Sequence, residues 1–154
     1  MMKALRILLA FAVAGFIVLT FLAPFTAARA VPACNDTPCL VGNDAGGGVD
    51  DYDHLAKRLV RTGEPLQLAG DCYSACTALA DRARPYVCLF PGARLFIHQS
   101  TVGGGPYAGL RMDVKYSADI AAWIRDQGGQ PDVGYLLMDY DTARRFWPAC
   151  KSPG

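Results

Sequence analysis

All six cysteines of the chain follow an N-terminal segment built like an export signal. This pairing constrains the fold more than any other feature. Lys3 and Arg6 precede an uncharged run from Ile7 to Phe25, and Ala28-Arg29-Ala30 closes it with small residues around a larger one. A positive start, an apolar middle and a small-x-small end define a secretory signal peptide, with cleavage expected after Ala30. The competing reading of residues 1–30 is an uncleaved membrane anchor, because the run is near the minimum length for a span. Val31-Pro32-Ala33 is a poor context for lipidation of Cys34. An even number of cysteines in an exported chain predicts disulfides, although sequence alone cannot choose among their pairings.

Zinc is the rival use of cysteine, but the chain has no C-x-x-C pair and only two histidines. Cys72 and Cys76 are spaced C-x-x-x-C, wrong for a thioredoxin-type redox pair. No metal and no cofactor are expected. Formal net charge is +1 over 154 residues. The first 30 residues carry Lys3, Arg6 and Arg29 and no acid, so cleavage leaves 124 residues at −2. That balance offers no electrostatic footprint for nucleic acid. Membrane contact is expected only through the signal segment, if it stays uncleaved. The length fits one domain, and an apolar content of 52% excludes a disordered chain.

Residues 31–45 are rich in Pro, Asn, Asp and Gly and read as an N-terminal loop with a short strand at Cys39–Val41. The domain proper is expected over 46–150. From Val49 to Arg61 the apolar residues recur at helical spacing, with Asp50 and Asp51 in the first turn and Gly63 as a stop. Leu66–Ala69, Tyr86–Phe90 and Arg94–His98 read as strands, and Ser74–Asp81 as a helix. Val102–Gly109 reads as a glycine-rich loop and Met112–Arg125 as a second amphipathic helix. Short helices or turns are expected at Val133–Met138 and Thr142–Trp147. Strands alternating with helices predict an α/β fold with crossover connections.

Three features carry chemistry. Gly46-Gly47-Gly48 enters a helix, where a glycine run lets backbone N–H groups approach a ligand closely. Ser74 lies between a strand and a helix, where a serine is usually an N-cap. At the same place a nucleophile gains an oxyanion donor from the next N–H, here Ala75. His98 ends an apolar strand, where a histidine is more often a satisfied core residue.

The stretch Gly70 to Ser100 resembles the serine-to-histidine segment of the Clp protease proteolytic subunit. In that family a serine at a helix start is followed by a strand ending Pro-x-x-Arg-x-x-Ile-His-Gln. This chain has Pro91-Gly92-Ala93-Arg94-Leu95-Phe96-Ile97-His98-Gln99. Asn43-Asp44-Ala45-Gly46-Gly47-Gly48-Val49 is similar to the family's oxyanion segment, with Ala45 in place of proline. The Cys-x-Ser-Ala-Cys version behind a signal peptide resembles exported Clp-protease-like proteins. The resemblance implies a ClpP/crotonase-like βαβ spiral core. That core would be N-terminally shortened, since residues 31–42 stand where the family has further strands and a helix.

The resemblance implies Ser74 as nucleophile, His98 as general base, and Gly47 or Gly48 with Ala75 as oxyanion donors. Its third member is an acid after the long helix: Asp139 or Asp141, with Asp139 preferred. The competing reading is that both cap the last helix. Lys57 and Lys115 are candidates for a lysine base of the related signal-peptide peptidases, but neither lies in a matching motif. A Cys72–Cys88 bridge follows from the placement of those elements in the family.

Three functions remain open on the sequence. The first is a secreted or periplasmic ATP-independent serine hydrolase acting on a peptide or protein substrate. The second is an inactive relative that binds peptides or proteins through the same cleft. The third is a small disulfide-braced interaction or structural domain with no active site. The family's rings imply a homo-oligomer.

Overall fold

In a computed structural model, residues 31–103 and 108–151 are described. The expected signal segment, residues 1–30, lies outside them, as does part of the glycine-rich loop. Among the described residues the fold is mixed α/β, with small sheets and four α-helices. The strands are β1 (Cys39–Val41), β2 (Leu66–Leu68), β3 (Asp71–Tyr73), β4 (Val87–Leu89), β5 (Arg94–Ile97), β6 (Ser100–Thr101), β7 (Arg111–Met112) and β8 (Leu136–Met138). The helices are α1 (Val49–Thr62), α2 (Ala75–Arg82), α3 (Ala118–Asp126) and α4 (Tyr140–Ala143).

The chain passes three times through two sheets. β1, β2 and β4 are parallel neighbours in the first sheet. After each of them the chain enters the second layer. Asp44 bridges Cys72 in parallel, β3 follows β2, and β5 follows β4 and pairs parallel with β3. β8 then closes the second sheet antiparallel to β5, with Leu95 opposite Met138 and Ile97 opposite Leu136. β6 and β7 form a separate two-stranded ribbon.

α1 forms where the apolar spacing places it. Tyr52, Leu55, Ala56 and Leu59 are its buried face, and Gly63 ends it with a left-handed φ of 69°. That face packs on α2. α2 is buried from Ala75 to Asp81. Its small side chains (three alanines among eight residues) let the helix lie inside the molecule. Each buried leucine of the core, such as Leu59, Leu68, Leu79 and Leu95, contributes about 1.5–3 kcal/mol. The buried Asp81 carboxylate is offset by donors from Ser117 N at 2.7 Å, Ser117 Oγ at 2.6 Å and Arg84 at 2.9 Å.

Several local expectations change. Residues 113–117 are not helical, and α3 starts at Ala118, because Ser117 is held by Asp81 across the sequence. The segment expected as a helix or turn at Val133–Met138 contains β8 instead. Its ladder to β5 takes the backbone groups that a helix would have used internally.

The cysteines pair Cys34–Cys39, Cys72–Cys76 and Cys88–Cys150, and none is free. The expected Cys72–Cys88 bridge does not form. Cys72 sits in the second sheet and Cys88 in the first, and each has a nearer partner. Cys150 reaches Cys88 because the C-terminal segment runs beside β4, with Leu89 bridging Ala149 in parallel. Three disulfides fit the oxidising environment of an exported protein. Among the described residues no helix is long and apolar enough to cross a membrane.

Candidate active site

Ser74 occupies the turn between β3 and α2. Its backbone adopts φ 55° and ψ −119°, a left-handed conformation that side chains other than glycine rarely take. Such a residue costs about 1–3 kcal/mol and persists where its surroundings over-determine it. Here they do. Ser74 N–H donates to Phe96 O at 2.9 Å, and Ser74 O accepts from Thr77 N at 2.9 Å and Thr77 Oγ1 at 2.6 Å. The Cys72–Cys76 disulfide spans the turn. Although Ser74 holds the N-cap position, its side chain makes no capping hydrogen bond. The ordinary explanation for a serine at a helix start therefore does not account for it.

The glycine run lies against this turn. Asp44 pairs with the second sheet, its N–H donating to Asp71 O at 2.7 Å and its O accepting from Tyr73 N–H at 2.9 Å. Its buried carboxylate accepts from Gly46 N–H and from Tyr52 O–H, both at 2.7 Å. Burial first, then the hydrogen bond to Asp44 and its charge, push the Tyr52 phenol well above its ordinary pKa. Gly46 has φ 75°, and a Cβ there would lie 2.5 Å from Tyr73 O and 2.8 Å from Ser74 Cβ. Glycine is required at that position by the contact as well as by the torsion. Gly46 N–H is thus committed to Asp44. Gly47 follows, and Gly48 is the N-cap of α1, its carbonyl accepting from Asp51 N–H and Tyr52 N–H. Ala75 is the first residue of α2, so its N–H is one of the donors a helix start leaves without an intrahelical acceptor.

His98 follows β5. The β3–β5 register sets Tyr73 opposite Phe96, so Ser74 and His98 lie at the same end of adjacent strands. Strand spacing and rise put their backbones about 6–8 Å apart. The His98 ring meets the Tyr135 ring edge-on, with centroids 5.0 Å apart. Tyr135 also meets Tyr73 and Phe96, and those two rings stack flat on each other at 4.1 Å. Four rings therefore border the Ser74 turn.

The acids divide differently from the expectation. Asp139 caps α4, accepting from Thr142 N–H at 2.9 Å, and that bond holds its carboxyl below the usual range. The β5–β8 register sets it beyond Met138, at the Arg94 end of the strand. It is four residues from the level of His98, or about 13 Å. Asp141 lies exposed in the first turn of α4. Neither is brought to His98, and the competing reading, a cap on the last helix, describes Asp139. The acid that lines the same cleft as His98 is Asp132, together with Arg111, Val133, Gly134 and Tyr135. Gln99 N–H donates to Pro131 O at 3.0 Å and draws the two segments together. Sequence reasoning missed Asp132 because only the antiparallel return of β8 carries residue 132 to the end of β5.

The two candidate lysines stand elsewhere. Lys57 is ion-paired with Asp53 at 2.6 Å on α1, and Lys115 is exposed beside α3. Among the described residues no group of three or more His, Cys, Asp or Glu side chains is placed to hold a metal ion. Compared with known proteins, the chain matches no family model, no curated protein and no solved structure.

Proposed function

We propose that this chain is an exported, ATP-independent serine hydrolase with a Clp-protease-like spiral core, acting on peptide or protein substrates. One observation carries the reading: Ser74 is held at φ 55° on a strand-to-helix turn, with its hydroxyl unused as a cap. A strained serine at that place is the geometry of a nucleophile elbow. The triple passage through two sheets supports the spiral core. The three disulfides support a periplasmic or secreted site of action after removal of residues 1–30. Assembly as a homo-oligomer belongs to the same proposal.

In this reading Ser74 Oγ attacks the substrate carbonyl carbon while His98 takes its proton. The carbonyl oxygen becomes an oxyanion, received by the N–H groups of Ala75 and of Gly47 or Gly48. Each such donor contributes about 3–4 kcal/mol in the transition state. His98 then returns the proton to the leaving nitrogen as the C–N bond breaks, leaving the acyl group on Ser74. Water attacks that ester, giving a proton to His98, which passes it to Ser74 Oγ as the acyl C–O bond breaks; the acid is released and Ser74 regenerated. Asp132 is the acid assigned to orient the imidazole and balance its positive charge.

Fluorophosphonate labelling tests the assignment. The wild-type chain is expected to label, Ser74→Ala to lose the label, and His98→Gln to label at least about 100-fold more slowly. Equal labelling of wild type and Ser74→Ala, or none in either, overturns it and leaves a peptide-binding or structural domain.

A further inference from the structure

We infer that Tyr116, acting through Thr77, is a positioning residue that aims the Ala75 N–H at the developing oxyanion. The inference rests on the hydrolase reading and adds a residue outside all three motifs that suggested it. Ser74 C=O and Ala75 N–H belong to one planar trans peptide and point in opposite directions. Whatever holds the carbonyl therefore sets the direction of the N–H. Thr77 holds it twice, through its N–H at 2.9 Å and its hydroxyl at 2.6 Å. A threonine in a helix divides between two rotamers, because its hydroxyl can reach more than one carbonyl of the preceding turn. Tyr116 removes that choice, its hydroxyl lying 2.5 Å from Thr77 Oγ1. Thr77 gives its one hydroxyl proton to Ser74 O, so the phenol is the donor of the second bond. The two bonds run in one direction, and each strengthens the other. Thr77 is 1% exposed, so the chain of bonds is shielded from water. Burial pushes the Tyr116 phenol up to about 12, and it stays a neutral donor wherever a histidine base works.

Tyr116 is itself fixed from both sides. Next to it, Ser117 is held by the Asp81 carboxylate through N–H and Oγ. Two residues before it, Val114 N–H donates to Gln130 Oε1 at 2.9 Å and Val114 O accepts from Gln130 Nε2 at 2.7 Å. Asp113 accepts from Gln99 Nε2 at 3.0 Å, and Gln99 is the residue after His98. The segment 113–117 is thus anchored at one end beside the base and at the other on α2, with Tyr116 delivered to Thr77 between them.

The test measures fluorophosphonate labelling of the full mature chain over a range of probe concentrations. This separates the maximal rate from the concentration that gives half of it. Tyr116→Phe and Thr77→Val each remove one hydroxyl from the chain of bonds. Each is expected to lower the maximal rate about tenfold and leave the half-saturating concentration unchanged. Thr77→Ser keeps the hydroxyl and is expected to recover most of the rate lost in Thr77→Val. The double variant should be no slower than Thr77→Val, since both substitutions act through one path. Tyr116→Phe deletes a single oxygen from a partly buried ring and is read on its own should Thr77→Val not fold. A wild-type rate in Tyr116→Phe, a change confined to the half-saturating concentration, or multiplied losses in the double variant overturns the inference while leaving a labelled Ser74 standing. Absence of Ser74 labelling in the wild type overturns the hydrolase reading and this role with it.

Discussion

Gly46 packs directly on Ser74: a Cβ added to the glycine would stand 2.8 Å from the serine Cβ. The two residues lie 28 positions apart and meet because Asp44 joins the ladder of the second sheet beside Cys72. That contact joins the glycine run to the serine turn, so each can be perturbed through the other.

Gly46→Ala should therefore act at the site as well as on stability. Overpacking against Tyr73 O and Ser74 Cβ is expected to cost about 1–3 kcal/mol, with the left-handed φ adding about 1–2 kcal/mol. Displacing the turn should slow fluorophosphonate labelling of Ser74 by at least about tenfold. Gly92→Ala is the control. Gly92 has φ 89° but nothing within 4 Å of an added Cβ. It should lose stability from the torsion alone and keep the wild-type labelling rate. Urea unfolding and labelling kinetics on both variants decide the matter, and equal labelling rates would refute the contact.

Tyr52→Phe removes one of the two donors to the buried Asp44 carboxylate. A hydrogen bond to a buried charged group is worth about 2 kcal/mol, and that loss should appear in urea unfolding. Asp44→Ala should cost more, because it orphans the Tyr52 hydroxyl and releases Gly46 N–H together. If both variants unfold at the wild-type midpoint, the Asp44 network does not anchor the glycine turn.

The disulfides should separate in kind. Cys88–Cys150 closes a span of 62 residues, and its removal by paired serine substitutions should cost about 4 kcal/mol. Cys72–Cys76 spans 4 residues, and its removal should cost about 2 kcal/mol but also loosen the Ser74 turn and slow labelling. Peptide mapping without reduction checks the pairing first. A Cys72–Cys88 peptide would contradict it.

Acid should destabilise the fold partly through Asp119. The Arg84 guanidinium, then Ser117 Oγ and Ile120 N–H, hold its carboxyl well below the ordinary value of 3.8. A carboxyl depressed by folding contributes stability above its unfolded pKa, and that contribution is lost as pH falls through the folded value. Asp119→Asn should lower stability near neutrality and flatten the decline below about pH 4. Urea midpoints between about pH 7 and about pH 2 measure both arms. Parallel curves for wild type and variant would remove Asp119 from the account.

How much was legible beforehand depended on where each element finds its partners. α1 was readable because its apolar stripe, its first-turn acids and Gly63 all lie within its own span. The strand expected at 39–41 appears with those bounds, and those expected at 66–69, 86–90 and 94–98 appear with trimmed ends, as apolar runs bounded by Gly and Pro allow. β3 was missed because three residues with one buried side chain carry no period, and its ladder comes from Arg94–Phe96. β8 was taken for a helix or turn for the same reason, its partners lying some 40 residues upstream.

Sequence alone determined an α/β pattern, an even set of cysteines suited to an oxidising compartment, and Ser74 and His98 as residues to watch. Those signals are local: spacing, turn residues and composition act within a few positions. Tertiary structure alone decided that Cys88 pairs with Cys150, that Asp139 stands away from His98, that Asp132 shares the cleft with His98, and that Gly46 touches Ser74. Each of these depends on strand register. A shift of one residue in a ladder would turn each side chain to the opposite face, and no short window of sequence contains both strands.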